Sequence, residues 1–303
     1  MLKLGNFAIH FVTFADGDVE IIAAGKRLIA QANDSNLFTK VSSYSKKNLE
    51  NVLDPKILDF ISPENRGYGY WVWKPLILSA LLASEVKENE ILVYTDAGTE
   101  LNINISSKVR LRKLVRQTES QPILAFSTRE PEYKFTKRKC IDILRDLSNA
   151  ETFQVEATTI LIRNCEESRN FINEWIEIAT CENFSFIDDS LGDECYDFVD
   201  HRHDQSIFSI LYKNSSYIAL LLRSPEYSDN PKKVSIFQRL AFNGFAFWTI
   251  RNRSGASILK WWQKNSIFTV LVAPFFCLVK PRYFAIRFYK KIYFFAKKEL
   301  NRK

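Results

Sequence analysis

The chain opens as an alternation of short apolar runs and polar turns. Residues 7–14 (FAIHFVTF) are β-branched and aromatic, and Ala15-Asp16-Gly17-Asp18 closes them with turn formers, which predicts a buried strand and the loop that follows it. Residues 19–31 place apolar positions at helical spacing, and 37–44 read as a second strand, giving a β-α-β start. Further along, Pro75 follows Trp71-Val72-Trp73-Lys74 and precedes an Ala/Leu run over 76–83. This predicts a helix with Pro75 at its first position, where a missing N–H costs nothing. The run 90–95 (EILVYT) predicts a buried strand that stops at Asp96-Ala97-Gly98. Strands are also predicted over 123–127 and 158–162. Residues 166–179 predict a helix with Phe171, Ile172, Trp175, Ile176 and Ala179 on one side. Strands alternating with helices define an α/β domain with a mostly parallel sheet, and such sheets bind ligands beyond the carboxyl ends of their strands.

Charge divides the chain in two. Residues 232–303 carry sixteen Lys and Arg against the single acid Glu299, whereas 1–231 hold 26 basic and 34 acidic residues, so an acidic body precedes a basic tail. The tail also holds 17 of the 42 aromatic residues, interleaved with its cations, which suits an anionic membrane surface. We therefore divide the chain into a catalytic domain, 1–231, and a basic, aromatic-rich membrane-association segment, 232–303. Trp261-Trp262, 267–279 and 282–298 read as interfacial helical stretches. The longest uncharged apolar run, 266–279, contains Pro274 and is too short to span a bilayer. Packing of the tail as core helices or a homo-oligomer contact, and after it nucleic-acid binding, are the alternatives. Deletion after Pro231 is expected to solubilise the protein. Five cysteines without a C-x-x-C pair give neither a disulfide framework nor a cysteine zinc site, and no secretory signal opens the chain, so a reduced, cytosolic setting is expected.

Three segments carry chemistry. In Tyr94-Thr95-Asp96-Ala97-Gly98 a carboxylate follows a buried strand, with small residues beside it that let a ligand approach the backbone. Such a carboxylate can hold a divalent cation bridging two phosphates, or simply end a strand. In Asp200-His201-Arg202-His203-Asp204-Gln205-Ser206, two of the chain's three histidines sit among two carboxylates. His201 and His203 are candidate metal ligands or proton carriers; alternatively Asp204 caps a helix from Gln205 and the histidines are exposed. In Arg66-Gly67-Tyr68-Gly69-Tyr70-Trp71-Val72-Trp73-Lys74-Pro75, Arg66 and Lys74 can hold phosphate while aromatics wall a sugar or base pocket, with Trp71 and Trp73 as core anchors the alternative. The acidic stretch 182–200, with seven acids and no Lys or Arg, reads as a solvated loop or part of an acceptor lid.

RGYGYWVWKP, ILVYTDAG and HRHDQSIFSIL together resemble bacterial glycosyltransferases of the GT-A type that build capsule, O-antigen and lipooligosaccharide chains; the resemblance covers about residues 5–215. It implies a GT-A-like, Rossmann-like fold, a nucleotide-diphosphate sugar donor of the uridine type, and transfer of a hexose to a lipid-linked or surface polysaccharide acceptor at the cytosolic face of the membrane. It places Asp96 where an Asp-x-Asp metal motif begins and Gly98 at that motif's second carboxylate. A manganese or magnesium ion on Asp96 would then need Glu100, His201 or His203 as a further ligand. It also points Thr13, Phe14, Ala15 and Asp16 at the base and ribose, and Lys74, with Arg66, Trp73, Ala97 and Gly98 nearby, at the diphosphate and sugar. Asp204 is the first choice as catalytic base, with His203, Glu156 and Asp200 behind it. A nucleotide-sugar hydrolase or phosphodiesterase, and a non-enzymatic basic-tail adaptor or nucleic-acid-binding protein, are the rival readings.

Overall fold

Burial on both faces explains why the first and third strands read as unbroken apolar runs. A computed structural model describes residues 8–50, 53–215, 217–221, 246–249 and 251–259. Strand β1 (Ile9–Phe14) leads to helix α1 (Val19–Ser35) and β2 (Lys40–Tyr44), and then to α2 (Pro55–Phe60) and α3 (Trp73–Ser84). β3 (Ile91–Thr95) and the two-residue β4 (Glu100–Leu101) precede α4 (Ile105–Gln117), β5 (Ile123–Pro131) and β6 (Phe153–Arg163). After them come α5 (Glu166–Phe184), α6 (His203–Asn214), β7 (Leu220–Leu221) and β8 (Phe247–Trp248).

Six strands form one sheet in the order β2-β1-β3-β6-β5-β7. β2, β1 and β3 are mutually parallel, β6 runs against both of its neighbours, and β7 is parallel to β5, so one strand alone is reversed. Alternate residues of β1 and β3 enter two cores. Val12, Phe14, Leu92 and Tyr94 join α3, α5 and α6 on one face; Phe11 and Val93 meet Leu28 of α1 and Leu111 of α4 on the other. The α/β class with a mostly parallel sheet flanked by helices is thus the observed one. The carboxyl ends of β1, β2 and β3 emerge together at one edge.

Two local expectations change. Pro75 is the third residue of α3, not the first, and remains in the opening turn, whose N–H groups have no partner within the helix. α6 begins at His203 with Arg202 as its cap residue, so Asp204 lies inside the first turn instead of capping it.

Residues 246–259, all beyond residue 231, lie against the body where they are described. β8 pairs antiparallel with β4, Glu100 opposite Trp248 and Leu101 opposite Phe247, and Trp248 is fully buried. The Glu100 carboxylate, also fully buried, accepts from Asn252 Nδ2 (2.5 Å), Ile258 N (2.8 Å), Ser257 Oγ (2.6 Å) and Gln31 Nε2 (3.2 Å). Four donors on one carboxylate satisfy a charge that burial alone would penalise. Trp261-Trp262, 267–279 and 282–298 lie outside the described residues, as does Cys277; the other four cysteines are free thiols.

Candidate active site

The turn after β3 is built by backbone bonds. Asp96 N donates to Thr158 O (2.9 Å) and Thr99 N returns to Asp96 O (2.9 Å), which leaves the Asp96 side chain, 34% exposed, as the surface carboxylate of the turn. Its Oδ1 accepts from Tyr94 Oη at 2.6 Å and faces Lys74 Nζ at 3.4 Å. The Lys74 side chain is 3% exposed; its ammonium pairs with Asp204 Oδ2 at 2.6 Å and donates to Ala157 O at 3.2 Å. α3 brings Lys74, β3 brings Asp96 and α6 brings Asp204, so three distant segments converge on one buried ammonium between two carboxylates.

The electrostatics of this triad follow from its burial. Desolvation pushes the Asp204 carboxyl up to about 6, against the pull of Lys74. Desolvation also works against the Lys74 ammonium, but Asp204 and Asp96 outweigh it and leave Lys74 above its ordinary value. Tyr94, buried beside Asp96, is raised well above the usual phenol range and stays a hydrogen-bond donor. Lys74 also lies over the rings of Tyr94 (5.2 Å) and Trp73 (5.9 Å).

The aromatic wall has an unusual backbone. Gly67, Tyr68, Gly69, Tyr70 and Trp71 have φ of 61°, 61°, 92°, 50° and 60°, a left-handed turn of five residues where L-residues pay about 1–2 kcal/mol each. Glycine is required twice. A Cβ at Gly67 would lie 2.4 Å from the Trp71 ring, and one at Gly69 2.8 Å from Phe60 O. The turn projects Tyr70 and Trp71 onto the His203 ring (4.9 and 5.6 Å between centroids), while Phe14 stacks on Trp73 at 3.9 Å. Trp73 Nε1 donates to Gly67 O at 3.2 Å, tying the turn to α3. The core-anchor reading therefore holds for Trp73, while Trp71 is half-buried.

Other expected residues occupy different places. Thr13 and Phe14 are buried, and of the β1 loop only Ala15 and Asp16 are half-exposed; Asp16 accepts from Gly17 N and Lys46 N (2.7 Å each), latching the β1 and β2 loops together. Arg66 is spent on Asp200, at 3.1 and 2.8 Å, and faces Asp189 at 3.8 Å, so Arg66 and Asp200 form a rim pair. That pairing raises Arg66 and holds Asp200 below the usual carboxylate range. Glu156 and Ala97 are buried, and Gly98 is half-exposed.

Both histidines are buried, not exposed. His201 Nδ1 accepts from Lys137 N (3.3 Å) and its Nε2 donates to Phe186 O (3.0 Å); burial and then Lys137 lower it to about 3, so it is neutral. His203 donates from Nδ1 to Ile187 O (2.7 Å), with Nε2 3.6 Å from Asp189. The acidic stretch is strapped down rather than free: Lys139 pairs with Glu182, Lys137 with Asp188 and Lys134 with Asp197.

Most of the groups expected to hold a divalent cation are engaged elsewhere, and of the two histidines only His203 keeps a ring nitrogen, Nε2, without a hydrogen bond. Asp96 Oδ1 is committed to Tyr94 and Lys74, the Glu100 carboxylate is saturated, and His201 has no free nitrogen. Among the described residues no group of three His, Cys, Asp or Glu is arranged to hold a metal.

Sequence reasoning missed Arg27. It is 6% exposed and bonds four carbonyls: Ala97 O (3.0 Å) and Thr99 O (2.9 Å) in the turn after β3, and Asn252 O (2.9 Å) and Ser254 O (2.6 Å) in the late segment. Its only signal in the sequence is a cation beside the apolar stripe Ala24, Leu28 and Ala32.

Fold and site define an α/β protein whose polar centre lies at the carboxyl ends of parallel strands. Solved structures similar to the chain include the following two. One is a glycosyltransferase involved in glycosylation of the major capsid of PBCV-1, with 10% identity, 72% of this chain and 84% of that one covered, and a TM-score of 0.38. The other is mouse xyloside xylosyltransferase 1 in its apo form, with 12% identity, 81% and 96% covered, and a TM-score of 0.41. No protein-family model matches the chain, and no curated protein matches it.

Proposed function

We propose that this chain is a glycosyltransferase that takes a sugar from a nucleotide-diphosphate donor, of the uridine type, and passes it to a hydroxyl of a glycan acceptor. The observation that carries this reading is the Asp96-Lys74-Asp204 triad at the carboxyl ends of the parallel strands, with Asp96 at the surface of a small-residue turn. The bond from the sugar's anomeric carbon to the diphosphate breaks, and the nucleoside diphosphate leaves with the electron pair. The acceptor oxygen forms the new bond and its proton goes to a carboxylate. Asp204, held at about 6 by burial, is matched to that task near neutral pH, and Lys74 steadies its ionised form. Asp96 accepts hydrogen bonds from donor hydroxyls.

The basic aromatic tail supports placing the reaction at an anionic membrane surface, where a lipid-linked or surface-polysaccharide acceptor would lie. Among the described residues no helix is long and apolar enough to cross a membrane. The test is release of nucleotide from a panel of nucleotide sugars, with and without glycan acceptors. Acceptor-dependent release that Asp204→Asn lowers about a hundredfold while nucleotide binding persists supports the transferase. Release at equal rate in water alone identifies a hydrolase instead.

A further inference from the structure

We infer that Arg251 and Arg253 form a cationic, metal-independent edge for the donor diphosphate on the Asp96-Ala97-Gly98 turn. The inference rests on the donor reading above and adds the groups that supply the positive charge.

Placement comes first. Asn252 N donates to Gly98 O at 2.8 Å, and a Cβ on Gly98 would lie 3.2 Å from Arg251 Cα. The backbone of the arginine segment thus fills the space that a second carboxylate at position 98 would need. Arg27 fastens both sides of this contact through Ala97 O and Thr99 O on one strand of chain and Asn252 O and Ser254 O on the other. Turn and segment are one body, so an anion lying over Gly98 meets a fixed backbone.

Availability comes second. Arg251 and Arg253 are exposed and flank the buried Asn252, and among the described residues neither guanidinium is hydrogen-bonded or paired. Three other cations near the strand ends are spent, Arg66 on Asp200, Lys74 on Asp204 and Asp96, and Lys46 Nζ on Ile61 O, whereas Lys47 is exposed beyond the end of β2. The start of α1 offers no alternative, because Asp16, Asp18 and Glu20 surround it and an anion would be repelled there.

Charge balance comes third. With both carboxylates ionised the triad sums to −1, which repels a diphosphate; two guanidinium groups turn the local sum to +1. Guanidinium forks also match phosphate oxygens bidentately.

The test titrates the full-length protein with uridine diphosphate and with inorganic pyrophosphate by calorimetry, once in EDTA and once in manganese. Wild type is expected to bind with affinities within about threefold in the two buffers. Arg251→Gln and Arg253→Gln are each expected to weaken binding about tenfold and the double variant about a hundredfold, with the melting temperature of the free protein unchanged. Binding that appears only with manganese, or a double variant that binds as wild type does, overturns the inference and leaves the transferase reading in place. A melting temperature lowered in the variants also overturns it, since the arginines are then structural. Failure of both probes to bind wild type in either buffer overturns the donor reading itself.

Discussion

The two walls of the site are held by opposite means. On one side, the 66–75 segment stands on a left-handed backbone and an indole bond specified within ten residues, and on ring contacts with Phe14 and His203. On the other, the Asp96-Ala97-Gly98 turn stands on hydrogen bonds from Arg27 and contacts with residues 251–252, so its specification is spread over more than two hundred positions. The first wall gains rigidity from shape and pays for it in backbone strain. The second gains it from satisfied buried polar groups and fails when any one partner is removed.

The largest expected effect falls on the second wall. Arg27→Ala strips a donor from four carbonyls at once and is expected to cost about 4 kcal/mol, read as a lower midpoint in urea unfolding. A loss below about 1 kcal/mol would show the two strands of chain holding without it. Between the walls, Asp204→Asn is expected to lower transfer about a hundredfold with nucleotide affinity retained.

The same residue fixes a pH dependence. Wild-type transfer should rise as pH passes about 6, where Asp204 ionises. Because its folded value lies above the ordinary 3.8, the folded chain holds the proton longer, so Asp204 stabilises below about pH 4 and that contribution is lost as pH rises through 6. The stability difference between wild type and Asp204→Asn should therefore fall over pH 4 to 6 by on the order of 2–3 kcal/mol in unfolding measurements.

On the aromatic wall, Gly69→Ala places a Cβ against Phe60 O at φ 92° and is expected to cost about 2 kcal/mol in thermal unfolding; a neutral result would mean the turn relaxes freely. Smallest of all, Lys139→Ala removes an exposed pair with Glu182 and should change stability by less than about 1 kcal/mol.

What could be read in the sequence follows the same division. β1, β3 and the helices over 19–35 and 73–84 were legible because burial and helical spacing act on neighbouring residues. Asp96, Lys74 and Asp204 were each legible as chemistry. That Lys74 turns inward to Asp204 was not, because spacing along a chain says nothing about which of two charges finds the other first. The histidines misled for a related reason: a polar residue type suggests exposure or a ligand, whereas backbone carbonyls of 186–187 bury both rings. Arg27 and Glu100 left no local trace, since their partners lie up to 227 residues away.

The strap formed by residues 246–259 also sets an order of assembly. A chain emerging from a ribosome can fold β1, α1 and β3 early, yet Arg27 then lacks two of its four partners and Glu100 three of its four until residues 252–258 have been made. The Asp96-Ala97-Gly98 turn is therefore among the last parts of the molecule to be finished. A stop codon after Pro231 would yield an incomplete site as well as a shorter tail, so the proposed membrane association of the tail is best tested with chains ending after Leu259.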